Sequence, residues 1–231
     1  MENWLIDETR IIDVKALEKE ITHGIAMRSS KRTPPALAIR INDLIIHDTK
    51  KWFGLASNIR VDTLVVHGSG TEDEKIYHEN TFRFSGIKDN QRLAIEHPGQ
   101  KIFYGHPNYF MDISIFVSRD TGDSDELSSL INSSLNSQEW KDASSSILAL
   151  TSLAPQAGVI ASAVGGAASI ANVIYKILKN VTGNTIGLYR SSYLQKADSF
   201  GIGRHPDSGS YRQQDFSFWY EVLIDKKMSS A

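Results

Sequence analysis

From Ala143 to Tyr175 the chain carries no charged side chain, although charges are frequent on either side. A run of this length must be buried against something: its own core, a bilayer or a partner. Its second half, Gln156 to Tyr175, is mostly Ala, Gly, Ser, Val and Ile. It is long enough to cross a bilayer as a helix, for which about twenty apolar residues suffice. Gly158, Ser162 and Gly166 recur at intervals of four, as do Gly165 and Ser169. Such small-residue stripes let two helices approach closely, in lipid or in a protein core. The segment has neither Leu nor Phe, and Ser162, Ser169 and Asn172 add a polar cost to insertion. Burial in the protein's own core accounts for all of this. Membrane insertion and a partner-binding surface stand as the alternatives.

The run belongs to a helical block. Leu127, Leu130, Ile131 and Leu135 follow helical spacing. A second helix is expected from about Gln138 to Leu153, stopped by Pro155, and a third from about Gln156 to Lys179, ending before Gly183. On both sides of the block the hydrophobic period is two. Leu37, Ile39 and Ile41 alternate with polar or small residues. In the next run Ile59, Val61 and Val65 take one side, Leu64 and Val66 the other. Phe82 to Phe84, Arg92 to Ile95 and Lys101 to Tyr104 are shorter candidates. Met111, Ile113, Ile115 and Val117 share a face, and Ile186 to Leu194 adds another strand. Phe216, Phe218, Tyr220, Val222 and Ile224 alternate cleanly. Before the strands, Val14, Leu17, Ile21 and Ile25 mark an amphipathic helix over about 13–27, followed by a basic linker ending at Pro34-Pro35.

The pattern predicts a mainly β fold: an antiparallel β-sandwich of about eight strands, with an N-terminal helix and an inserted helical hairpin. Residues 1–35 form the helix and linker, 36–225 the sandwich with its insertion at about 126–183, and 226–231 a tail.

Composition closes several routes. A net charge of -2 and a pI near 6.4 argue against a nucleic-acid binder with a broad basic surface. There is no Cys, so disulfides, thiolate zinc sites and cysteine nucleophiles are excluded. The stretch Met1 to Glu8 has neither a basic n-region nor an apolar h-region, so no signal peptide is expected. The glycosylation patterns at Asn132 and Asn180 are read as chance matches. A cytoplasmic location, with peripheral membrane attachment, is expected.

The acidic cluster Asp120-Thr121-Gly122-Asp123-Ser124-Asp125-Glu126 directly follows the best central strand. Calcium needs several oxygen ligands held close together, and grouped Asp residues on a tight loop supply them. An EF-hand is ruled out. Counting from Asp123, Ser128 stands where Gly is needed and Ser134 where Glu is needed. Asp48, beyond the first strand, and Asp62, inside the second, could add ligands. The plainer reading makes Asp123 or Ser124 a helix N-cap and Glu126 a first-turn residue favoured by the helix dipole. The Leu37-Ala38-Ile39-Arg40-Ile41 strand, Asp48 after it, the strand count, and an Asp-rich loop after a long apolar strand together resemble the C2-type sandwich. That resemblance covers Leu37 to Val117 and Ile186 to Ile224. It implies calcium held between loops at one end and docking on phospholipid headgroups.

Catalytic patterns are weaker. His97, His106 and His205 each precede a proline and mark turns. His-x-x-x-His does not occur. In His67-Gly68-Ser69-Gly70 the glycines flank the serine directly, unlike a nucleophile elbow, and Gly201-Ile202-Gly203 completes no dinucleotide fingerprint. The expected function is therefore binding without catalysis: docking on a phospholipid membrane or a protein partner, assisted by calcium on Asp120, Asp123 and Asp125. The alternative is a pore-forming or toxin-like effector whose hairpin inserts into a membrane. A hydrolase using His67 or His106 is the third reading.

Overall fold

The computed structural model describes residues 35–51, 55–68, 75–151 and 157–225. The amphipathic segment 13–27, Ser69 and the tail 226–231 lie outside the described residues.

The β-branched and aromatic runs form ten strands among the described residues, in two antiparallel sheets. In sheet A, β1 (Leu37–Ile46) pairs with β10 (Phe216–Ile224) along one edge, and with β4 (Gln91–Arg92) and β5 (Gln100–Gly105) along the other. The far edge of β10 carries β8 (Gly203–His205) and β9 (Tyr211–Gln213). Sheet B has the order β3 (Tyr77–Ile87), β2 (Ser57–Gly68), β6 (Asn108–Arg119), β7 (Thr185–Leu194). The alternating residues read from sequence meet in one cluster shared by both sheets: Leu37, Ile39 and Ile41, Val61 and Val65, Ile113 and Ile115, Phe216, Phe218, Tyr220 and Val222. Ile224, the last of the β10 alternation, is instead exposed at the strand end. The short β8 and β9 carry no hydrophobic alternation to announce them, and β3 runs well beyond the expected Phe82 to Phe84.

Sheet B is covered on its second face as well. Leu64 and Val66 of β2, Phe110 and Phe116 of β6 and Leu194 of β7 join a separate cluster with the helices α1 (Leu127–Ser134), α2 (Gln138–Leu148) and α3 (Ala157–Val181). The two-sided pattern of Ile59 to Val66 has this cause: one side meets sheet A, the other the helices. The Ser137 side chain caps α2 by accepting from Trp140 N at 3.2 Å. The helix stops at Leu148, short of the expected Leu153, and tightens into a 3-10 turn over Ala149–Thr151 ahead of Pro155.

Val164, Ile170 and Ile174 of α3 are buried in the helix–sheet cluster, with Ala163, Ala167 and Ala171 beside them. Burying a Val or Ile side chain contributes about 1.5–3 kcal/mol, and this is what docks α3 on sheet B. Its opposite flank shows Ser162, Gly165, Ser169 and Asn172 to solvent. The helix is long and apolar enough to cross a membrane by length and composition, and half of that stretch is buried inside the protein. Only one glycine of the stripe does close-packing work. A Cβ on Gly166 would stand 2.6 Å from the Ala143 carbonyl oxygen of α2, whereas Gly158 and Gly165 face open space.

Candidate functional site

Three polar constellations stand out from this framework. The first surrounds the acidic loop after β6. Arg60 and Asp62 alternate with the inward residues of β2 and point to the helix side, where both are fully buried. The guanidinium grips Asp62 through Nε at 2.6 Å and Nη2 at 2.9 Å. It also donates through Nη1 to Ser124 Oγ at 2.7 Å and to the Asp125 carbonyl at 2.6 Å. Thr81 on β3 donates to Asp62 Oδ1 at 2.6 Å and accepts from the Leu127 amide at 2.9 Å. It thereby satisfies an otherwise orphaned donor at the start of α1. Burial raises the Asp62 carboxyl above its ordinary value, against the pull of Arg60.

Asp120 accepts from Gly122 N and Ser124 Oγ, each at 3.1 Å. Its other oxygen lies 3.2 Å from Arg83 Nε. Arg83 further contacts Glu126 and donates to Ser124 O at 2.7 Å. Two arginines thus gather this loop, as a cation would. The residue before α1 is Glu126, which makes no side-chain cap, so neither Asp123 nor Ser124 is the N-cap.

The five carboxylates read as ligands have unlike surroundings. Asp120 and Asp62 are engaged by Arg83 and Arg60, while Asp123 and Asp125 are exposed. Asp48 accepts from the Lys50 amide at 2.7 Å, the main reason its carboxyl sits below the usual range, and Lys50 also pairs with Asp215. Among the described residues no three His, Asp or Glu side chains converge as a metal site.

The second constellation lies under α3. Arg190 on β7 binds Asp112 on β6 in fork geometry, Nε to Oδ1 at 3.0 Å and Nη2 to Oδ2 at 2.6 Å, and Ser192 adds a hydrogen bond to Oδ2. Burial raises the Asp112 carboxyl, with Arg190 opposing. This pair ties two strands of sheet B beneath the helical layer. Sequence reading gave no hint of it, since Asp112 interrupts an apolar run and its partner stands 78 residues away.

The third is the outer face of sheet A, which contributes no residue to the helix cluster. Strand register lays its side chains in rows. Lys101, Arg40, Glu221 and Arg204 stand side by side across β5, β1, β10 and β8. One step along β10 comes Trp219, whose ring lies 4.4 Å beneath the Arg204 guanidinium and opposite Asp43. Beyond it Arg92, Ile45, Ser217 and Arg212 form another row. Arg92 pairs with Asp43 at 3.0 Å. Five cations and three acids, Asp43, Glu221 and Asp225, thus share one face of a chain whose overall charge is -2. The signal was present in the sequence. Trp219, Glu221 and Leu223 are the positions out of phase with the core of β10, and only the register shows which cations they meet.

Three of the histidines, His67, His78 and His205, are built into aromatic packing. His67 is buried and stacks on His78, with Phe103 edge-on to both. His205 hydrogen-bonds Tyr193, whose hydroxyl meets that of Tyr220 inside the sheet–sheet core.

No protein-family model matches this chain, and no curated protein matches it.

Proposed function

We propose that the chain is a non-catalytic docking module, a β-sandwich that carries its helices on one side and binds an acidic surface with the other. The row Lys101–Arg40–Glu221–Arg204 carries this reading, because cations held in strand register present a fixed array to an anionic partner. Asp123 and Asp125, the exposed carboxylates of the acidic loop, would hold calcium at the Asn58 end of the strands, apart from this row. The C2-type resemblance agrees with docking but does not supply the row.

Retention on an immobilised polyanion tests the proposal. The full chain should be retained at low salt and elute as ionic strength rises, since exposed charges are screened beyond about 10 Å at 0.1 M salt. An Arg40→Gln/Arg204→Gln variant should pass through unretained. Equal retention of the variant removes this face as the docking surface. The second reading, insertion of α3 into a membrane, rests on its length and mean hydropathy of 1.5. Release of an entrapped dye from vesicles would be its signature.

A further inference from the structure

Three of the exposed large hydrophobic residues gather at one end of sheet A: Tyr104 (41% exposed), Ile202 (42%) and Ile224 (40%). The register explains the gathering. Tyr104 faces Ala38, which faces Leu223, and Ile202 immediately precedes β8, whose Gly203 pairs with Val222. Tyr104, Leu223 and Ile202 thus form an apolar row two residues along the strands from the row Lys101–Arg40–Glu221–Arg204, and Ile224, which pairs with Leu37 in the core phase of β10, is exposed at the same strand end. Two residues in an antiparallel strand rise about 7 Å. That matches one polar interfacial layer of a bilayer, the difference between a core of about 30 Å and a total of 40–45 Å shared between two sides.

We propose that this end of sheet A docks on an anionic phospholipid bilayer, with Tyr104, Leu223, Ile202 and Ile224 entering the interface and Lys101, Arg40 and Arg204 meeting the phosphates. The inference rests on the docking face proposed above and names its partner. An acidic protein would satisfy the cations equally well, but it would gain nothing specific from an apolar row set one interfacial layer below them. Aromatic and aliphatic residues placed below basic ones are what a headgroup layer accommodates. Asp225 is the acid at this end, and it accepts from Tyr104 Oη at 3.0 Å. In the sequence Lys226 and Lys227 follow it directly.

The test is flotation of the full chain with vesicles of phosphatidylcholine alone and of phosphatidylcholine with phosphatidylserine. Binding is expected only with phosphatidylserine. Each basic residue near an anionic surface contributes about a fivefold factor, so Arg40→Gln/Arg204→Gln should lower partitioning roughly 25-fold. Ile202→Ser/Ile224→Ser should lower it about tenfold, because exposed apolar area no longer leaves water. Both pairs alter exposed or half-exposed side chains, and an unchanged thermal melt shows that the fold is intact. Ile202→Trp should strengthen binding with the thermal melt unchanged, which separates the gain from lipid capture of an unfolded chain. Retention on a polyanion without flotation overturns the lipid assignment and leaves the docking face standing. Absence of both overturns both. Flotation that neither variant pair alters, or that survives the isoleucine changes alone, overturns the interfacial row.

Discussion

Arg60 shows how one side chain can organise a region. Its guanidinium joins a strand carboxylate, a loop hydroxyl and a loop carbonyl. Arg60→Met would leave Asp62 buried without its charge partner, which costs about 3–5 kcal/mol. Urea unfolding should show that loss, and hydrogen exchange should show the acidic loop and the start of α1 opening first. Asp112 gives a pH prediction with a definite sign. Burial raises its folded-state value above 3.8, so between pH 3.8 and that raised value the native state holds a proton that the unfolded chain has released. That contribution is complete below pH 3.8 and is lost as pH rises through the raised value. Asp112→Asn lacks a proton to lose. Its stability relative to the parent should therefore climb with pH above 3.8 and then level off, as read from denaturation curves across pH. A constant difference would show that Asp112 does not titrate in this way.

Among the elements, the α2–α3 pair is fixed by one glycine. Gly166→Val would drive side-chain atoms into the Ala143 carbonyl and separate the helices, a cost of about 1–3 kcal/mol. Gly165→Ala, one residue away and facing open space, should stabilise by up to about 1 kcal/mol through helix propensity. Thermal melts of the two variants should move in opposite directions. The stripe was plain in the sequence, but its members are not equivalent there. Which glycine touches a neighbour depends on how α3 is rotated about its axis. Ile160, Ile170 and Ile174 set that rotation by facing sheet B.

Taken whole, the molecule stacks three layers: sheet A, sheet B and the helices, joined by two hydrophobic clusters. Sheet B is buried on both faces and sheet A on one, so the molecule has two unlike surfaces. A docking module of this build should leave vesicles sealed, because α3 stays packed on sheet B while sheet A meets the partner. Entrapped dye should be retained even when the chain is bound. Release would favour the inserting hairpin.

The sequence by itself determined the strand phases, the uncharged helix and the two-sided burial of β2, because hydrophobic period is a local property that every fold of this chain must obey. It also showed an acidic loop, but not what the loop is for. Asp120 meets Arg83 only once β2, β3 and β6 lie side by side, and charges separated along the chain carry no mark of their partners; Arg60 and Asp62, two apart on β2, share a face by the strand period alone. Tertiary structure alone decided that Arg60, Asp62 and Asp112 lie inside, since period two cannot tell a solvent face from one covered by helices. It decided as well that Lys101, Arg40 and Arg204 form one row, because strand register is set by pairing across the sheet, and a single strand does not contain it.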